Sequence, residues 1–481
     1  MVPDLYPFQA DLFQRLRAAR GRGARRIVVQ GATGSGKNIL AAYVVRQAVL
    51  KGSTVLVMVH RRRLVDQISD RLNQFEVQHG ILMRGERADS RHLVQVASRD
   101  TLLSRCVNNS WVDLPAAALV IVDEAHHAAK EDSEYRRILG NYQDATVLLL
   151  SATPVDPDGN GMGPWAEAIE CAAPTSQLVK EGYLVPVKCY APERRQHGKG
   201  VRRGIAGDLV ASWQQYAEDS PTVLFTARVK HSKNAVAAFN EAGILAVHVD
   251  ADTPDDVRDR AYDDVAARRV KVLSNVGIVG EGVDVPELRC CQLYLELGSR
   301  VRFLQACGRI MRPWPGKTHG ILIDHSGAVF RHGFPDEDSE WTLDRNTNQT
   351  FREKHDAGET ARALYCLHCA LAYHGLPACP QCGRAPVTPP RSVFSPPPVK
   401  TTGEILTEAE RDQQAQVYSH AEKVTHWWRC LGAALKRHGS YGMAAQIYKR
   451  KYGEWPERGF PMYPTGNWQS RVPQFETEVP T

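Results

Sequence analysis

The chain has 481 residues, 43% of them hydrophobic and 24% charged, with a formal net charge of +6. That length predicts three or four domains at ~100–200 residues each, with the composition of an ordinary soluble globular protein. So small a net charge does not by itself announce a polyanion partner, and no apolar run reaches the ~18–20 residues needed to span a bilayer.

The opening stretch MVPDLYPFQADLFQ lacks the charged-then-apolar layout of a secretory signal. A cytoplasmic protein with no membrane partner is therefore expected. Eleven cysteines are present, four of them in two CxxC pairs and seven scattered. An odd scattered set suits a reducing compartment better than a disulfide scaffold.

From about 25 to 185, short apolar runs alternate with longer helical patterns. The runs are RRIVVQ, STVLVMV, LVQVA, AALVIVD and TVLLLSA. Runs this continuous predict strands buried on both faces, hence a parallel sheet covered by helices. The rhythm returns between about 186 and 330 in PTVLFTA, LAVHVD, VKVLSN, CCQLYLEL and HGILID. Two consecutive α/β blocks follow, with no residue-level repeat between them.

The first strand leads into GATGSGKN (31–38) and then a helical stretch. That strand–loop–helix order marks a phosphate-binding loop. Gly31, Gly34 and Gly36, with Thr33 and Ser35 between them, let backbone N–H groups approach phosphate oxygens, and the helix N-terminus adds partial positive charge. Lys37 would reach the β- and γ-phosphates. The pattern calls for Ser or Thr after the lysine, to help hold Mg²⁺, but this chain has Asn38. An asparagine amide oxygen, one atom further out, could ligate the ion or one of its waters.

DEAH (123–126) ends the strand AALVIVD. Asp123 is placed to hold Mg²⁺ and Glu124 to position and deprotonate the attacking water. SATP (151–154) ends TVLLL with hydroxyls that can reach the DEAH segment or the other block. In QACGRIMR (305–312), Arg309 and Arg312 are three apart and would share a helical face. Two guanidiniums aimed across a cleft stabilise charge on a transferring phosphoryl group, worth roughly 10³–10⁵ in rate.

The series GATGSGKN, HRRRLVDQ, VASRDTL, VDEAHH, SATP, VLFTA, NVGIVGEGVDVP and QACGRIMR resembles the motifs of superfamily 2 helicases. It is most similar to the RadD-like and restriction-motor-like DEAD/DEAH-box proteins, many of them phage-encoded, over about residues 5–325. The resemblance implies two RecA-like domains with ATP between them. It implies that Gln9 reads the adenine edge; Tyr6 stands where the family has an arginine.

By the same resemblance, His60, Arg61, Ser98 and Thr101 would track a nucleic-acid backbone from the first domain, and Thr226, Arg228 and Asn275 from the second. Gly282 and Asp284 would couple nucleotide to strand, and Gln305, Arg309 and Arg312 would sense the nucleotide. Such contacts are salt-sensitive and largely sequence-independent. The implied activity is ATP-dependent movement along nucleic acid, DNA being favoured, in repair, recombination, replication or defence, with protein partners there. An RNA helicase, a hydrolytically weak ATP-gated scaffold, and the motor subunit of a restriction complex remain alternatives.

Cys366, Cys369, Cys379 and Cys382 form CxxC, nine residues, CxxC, which predicts a closed four-thiolate Zn²⁺ site around a short hairpin. VTPPRSVFSPPPVK (387–400) is Pro-rich and suits a semi-rigid spacer. Residues 362–481 carry 14 Lys and Arg against 9 Asp and Glu, and 423–460 mix aromatic and basic residues at helical spacing. The expected division is a first RecA-like domain over 1–185, a second over 186–330, a connecting segment over 331–365, a zinc ribbon over 366–385, a linker over 386–400 and a basic helical domain over 401–481.

Overall fold

The computed structural model describes residues 2–60, 62–86, 89–130, 133–156, 160–191, 204–277, 285–344, 363–366, 368–374 and 376–384. Arg61, Gly282, Asp284, the Pro-rich spacer and the C-terminal helical region fall outside the described residues. Everything described belongs to one unit, Met1–Pro389.

Among the described residues, the first lobe holds seven strands: β1 (Arg26–Gln30), β2 (Val55–Val59), β3 (His79–Leu82), β4 (Val94–Ser98), β5 (Leu119–Val122), β6 (Thr146–Ser151) and β7 (Ala168–Cys171). They form one parallel sheet in the order β3-β4-β2-β5-β6-β1-β7. Strand side chains alternate between two apolar layers. Ile27 and Val29 of β1 enter one, with Leu40, Val45, Leu64 and Phe75. Val28 enters the other, with Tyr135, Ile138 and Met162. Helices therefore cover both faces, as continuous apolar runs require.

The second lobe contains β8 (Val187–Tyr190), β9 (Thr222–Thr226), β10 (Ala246–Val249), β11 (Val272–Asn275), β12 (Cys290–Tyr294), β13 (Gly320–Asp324), β14 (Ala363–Tyr365) and β15 (Leu371–His374). Their order is β10-β11-β9-β12-β13-β8-β15-β14. Strands from β10 to β8 run parallel, and β15 then pairs antiparallel with both β8 and β14. Two tandem parallel α/β sheets are thus present, as the strand rhythm predicts.

The cysteine hairpin does not stand apart from the second lobe. It extends that lobe's sheet, and Cys366 and Cys379 are buried in the same apolar cluster as Leu209, Trp213 and Phe239. Among the described residues, β15 is the one strand between the two CxxC pairs; its partner β14 precedes the first pair, so the first knuckle is the turn of the hairpin.

A strap over 334–344 returns from the second lobe to the first. Asp338 accepts from the Ser176 backbone N–H at 2.9 Å and from its hydroxyl at 2.6 Å. The Gly163 N–H donates to the Leu343 carbonyl at 2.8 Å. Leu343 packs against the first lobe's Met162 layer. Elsewhere along the strap, Arg300 donates to Ser339 at 3.0 Å and Glu337 lies 2.9 Å from the hairpin's His374.

Candidate active site between the two lobes

The phosphate loop forms where β1 ends. Gly34 and Gly36 hold φ of +88° and +78°, the left-handed region that glycine enters without strain. Gly36 caps the helix Lys37–Val49. A Cβ on Gly34 would lie 2.8 Å from Arg312 Cγ, and one on Gly36 would lie 2.6 Å from Gln9 Nε2. Side chains from two other segments therefore close directly onto the loop backbone. Gly31 and Ser35 are buried, whereas Thr33 and Asn38 are half-buried.

Lys37 Nζ donates to the carbonyls of Gly31 at 2.9 Å and Ala32 at 3.3 Å. Burial pushes its ammonium below the usual value, Glu124 and Asp123 pull it back up, and Arg312 and Arg309 push it down again. The lysine thus stands within electrostatic reach of four residues from two other motifs.

Asp123 is buried at the end of β5 and accepts from the Glu124 N–H at 2.9 Å. Burial, then the neighbouring Glu124 charge, push its carboxyl up to about 6. Glu124 itself sits at φ +49°, ψ +48°. A non-glycine residue in that region costs of order 1–3 kcal/mol and persists where its surroundings over-determine it. Its Oε2 lies 3.5 Å from His126 Nδ1. The His126 and His127 ring centroids lie 4.3 Å apart, tilted by 35°, and those of His60 and His127 lie 5.1 Å apart. His60 is thereby linked to the DEAH segment through ring contacts.

On the second lobe, the helix Arg300–Cys307 ends before the arginines. Arg309 and Arg312 lie in the turns after Gly308, so the expected shared helical face is replaced by a turn. Gly308 caps this helix, and a Cβ there would meet Thr33, with Thr33 Oγ1 at 2.9 Å. The close approach of the phosphate loop therefore requires glycine at this position. Arg309 is buried. Gln305 Nε2 donates to Thr153 Oγ1 at 3.0 Å, and the Val185 N–H donates to the Met311 carbonyl at 2.9 Å. Of the two directions expected for the SATP hydroxyls, the DEAH segment and the other block, Thr153 thus reaches the other block.

Ser98 and Thr101 are buried, their hydroxyls 2.8 Å apart, and the Ser98 Oγ caps the turn by accepting from the Thr101 N–H at 3.3 Å. Thr226 and Asn275 are buried at the ends of β9 and β11, where the Thr226 hydroxyl donates to the Asn275 carbonyl at 3.3 Å. Asn275 Nδ2 donates to the Leu224 carbonyl at 2.9 Å. Arg228 is exposed at the start of the helix Val229–Glu241.

Gln9 is 1% exposed. Its amide donates to the carbonyls of Ser35 at 3.1 Å and Gly36 at 3.2 Å, and its Oε1 accepts from the Tyr6 N–H at 3.1 Å. A cleft of about 440 Å³ opens beside this turn, between Pro7, Phe8 and Asp11 on one side and Pro174 and Gln177 on the other, and no phosphate-loop residue lines it.

The four hairpin cysteines bring their sulfurs within 4.8 Å of one another. Cys366 to Cys382 is 3.4 Å and Cys369 to Cys379 is 3.6 Å. Zinc–thiolate bonds of about 2.3 Å in a tetrahedron imply sulfurs roughly 3.8 Å apart, so the set fits that ion.

Comparison with known proteins agrees with the geometry. Residues 3–156 match the model of the type III restriction enzyme res subunit, and residues 206–313 match the helicase conserved C-terminal domain. A 51.5 kDa protein of a Lactococcus phage is 32% identical over 65% of this chain and 68% of its own length. The irc3 protein of Schizosaccharomyces pombe, described as a mitochondrial ATP-dependent helicase, is 25% identical over 68% of this chain, which spans 58% of that relative. Among solved structures, an HsdR-subunit fragment of a type I restriction enzyme from Vibrio vulnificus aligns over 70% of this chain and 68% of that one, with a TM-score of 0.55 at 16% identity. The type ISP restriction-modification enzyme LlaBIII, bound to DNA, aligns over 72% of this chain and 29% of that one, with a TM-score of 0.51 at 18% identity. These two likenesses show the fold. Family models and the phage relative together place the chain among the ATP-dependent superfamily 2 helicases of the restriction-motor type.

Proposed function

We propose that this chain is an ATP-driven motor that moves along or remodels DNA. The observation that carries the reading is the seating of the QACGRIMR turn of one lobe on the phosphate loop of the other, at Thr33 against Gly308 and Gly34 against Arg312. Hydrolysis gated by lobe closure needs that juxtaposition. Lys37 would bind the β- and γ-phosphates, and Glu124 would orient the attacking water and take its proton. Arg309 and Arg312 would balance the charge that develops on the γ-phosphoryl group. Asp123 and Asn38 would hold Mg²⁺, which supplies charge neutralisation across the two phosphates. Gln9, Gly31, Thr33, Gly34, Ser35 and Gly36 would complete the nucleotide cradle, with Gly282 and Asp284 coupling it to the strand.

His60, Arg61, Ser98 and Thr101 on one lobe, and Thr226, Arg228 and Asn275 on the other, would border the strand path. Ser98, Thr101, Thr226 and Asn275 shape the strand ends there by internal hydrogen bonds. The four hairpin cysteines would hold a structural Zn²⁺. DNA is favoured because the restriction-enzyme neighbour LlaBIII is bound to it. Cytoplasmic action with protein partners in repair, recombination or defence is part of the same reading.

The test is ATP hydrolysis by the purified chain with single-stranded, duplex and branched DNA and with RNA, at two salt concentrations. DNA should stimulate turnover, and stimulation should fall with salt as phosphate contacts require. Stimulation by RNA alone would overturn the choice of DNA.

A further inference from the structure

The loop that carries the two arginines runs on past them, and one of its side chains turns back into the second lobe. Pro313, Trp314, Pro315 and Gly316 are exposed, whereas Lys317 is 9% exposed. The chain reverses there through a β-turn. The Lys317 N–H donates to the Trp314 carbonyl at 2.9 Å, with Pro315 and Gly316 at the two central positions. Gly316 takes φ +78°, as the third residue of a type II turn requires.

Lys317 Nζ donates to the carbonyls of Leu288 at 2.6 Å and Pro286 at 3.2 Å. Those carbonyls belong to a second turn, closed by the Leu288 N–H on the Val285 carbonyl at 3.1 Å. In sequence this turn directly continues GEGVD (280–284). Burial, then the Arg312 and Arg289 charges, push the Lys317 ammonium down to about 7, and Glu287 opposes them. A buried charge is costly unless its hydrogen bonds are made, and bonds from a charged donor are the stronger class. What the ammonium adds over an apolar side chain of equal length is the pair of bonds between the two turns.

The arginines have anchors of their own. The Met311 carbonyl accepts from the Val185 N–H at 2.9 Å, and the Ile310 carbonyl lies 2.7 Å from a Cβ placed on Gly320. Gly308 and Arg312 close onto the phosphate loop. Lys317 supplies something else, the tie from this loop to Val285–Leu288.

We propose that Lys317 is a positioning residue for nucleic-acid coupling: it makes the turn Val285–Leu288 move as one piece with Arg309 and Arg312, so that engagement of nucleic acid is passed to the arginines. The inference rests on the reading of this chain as a nucleic-acid-stimulated motor.

Steady-state ATP hydrolysis by the full chain, with and without single-stranded DNA, tests it on Lys317→Met, which keeps the length and loses the donors. DNA-stimulated kcat should fall by about ten- to a hundredfold, the factor that accompanies loss of a hydrogen bond to a charged group. Basal kcat and KM for ATP should stay within about twofold of the parent, because the arginines keep their other anchors. A lysine that only stabilises the fold would move basal and stimulated rates together, or neither, and either result overturns the proposal. Should Lys317→Met melt below the assay temperature, Gly316→Ala makes the same comparison. A Cβ there meets no atom within 4 Å, but the positive φ strains the turn. The ratio of stimulated to basal kcat should then fall by about two- to fivefold, and an unchanged ratio overturns the proposal. A parent chain that answers to neither DNA nor RNA would overturn the motor reading and the proposal with it; a parent that responds, with Lys317→Met responding equally, overturns the proposal alone.

Discussion

Gln305 and Thr153 join the two lobes through one hydrogen bond, 3.0 Å from the amide nitrogen to the hydroxyl. Thr153 is 1% exposed. Thr153→Val keeps the shape and removes the acceptor, leaving the Gln305 donor unmet. A neutral hydrogen bond contributes about 0.5–1.5 kcal/mol net, so the closed state should weaken by about two- to tenfold. The expected result is a fall of that size in nucleic-acid-stimulated kcat, with little change in KM for ATP. An unchanged kcat would remove this bond from the productive state.

Gly308 and Thr33 make a steric pair across the same cleft. Gly308→Ala should depress turnover at least tenfold, because the added methyl meets the Thr33 side chain when the lobes close. The clash lies between lobes, so thermal unfolding should change little. Adding Thr33→Gly should recover part of the lost rate, and a double-mutant cycle on kcat measures the coupling.

Asp123 links stability to pH. Its carboxyl is pushed from 3.8 to about 6 by burial and then by Glu124. A carboxyl whose folded value is raised is penalised when ionised, so the metal-free protein loses stability as pH rises from about 4 through 6, and is free of the penalty below. Asp123→Asn should therefore raise the melting midpoint by a few degrees at about pH 8, with the metal chelated, and leave it unchanged near pH 4. The same substitution should abolish hydrolysis. Equal gains at both pH values would show that ionisation is not the cause.

Asn38 is the second residue of the helix Lys37–Val49, at the position of the metal-holding hydroxyl in related loops. Mg²⁺ demands octahedral oxygen geometry at about 2.0–2.1 Å. Asn38→Thr should lower the Mg²⁺ concentration that half-saturates ATP hydrolysis, by about three- to tenfold if one ligand is improved by roughly 1 kcal/mol. Superimposable titrations would show that this position does not touch the metal shell.

The cysteine hairpin predicts a metal requirement for lobe stability. About one Zn²⁺ per chain is expected by elemental analysis. Chelation, or Cys379→Ser, should lower the melting midpoint of the whole second lobe rather than release a separate module, because Cys366 and Cys379 lie in that lobe's core. A midpoint indifferent to strong chelators would contradict this.

How much was legible in the sequence depended on burial. β1, β2, β4, β5 and β6 lie inside the first sheet, where both faces are apolar, and their runs are unmistakable. β3 and β7 are its edges; β7 is only half-buried along its length, so no apolar run marked it. The phosphate loop, DEAH and QACGRIMR carried their own signals. Their geometry did not. Arg309 and Arg312 looked helical by spacing, yet the helix ends before them, and the need for glycine at 308 lies in Thr33, about 275 residues upstream. The strap was equally hidden, since it rests on backbone contacts and single side chains such as Asp338 with Ser176.

The pairing of β15 with β8, Leu371 opposite Tyr190 and Ala372 opposite Cys189, occupies the outer hydrogen-bonding edge of β8. Take the hairpin away and β8 becomes a bare edge at the end of a parallel sheet, with unpaired N–H and C=O groups open to another chain. In zinc-poor medium the first failure of this protein would then be insolubility through strand-to-strand association between copies, well before any loss of the ability to bind ATP.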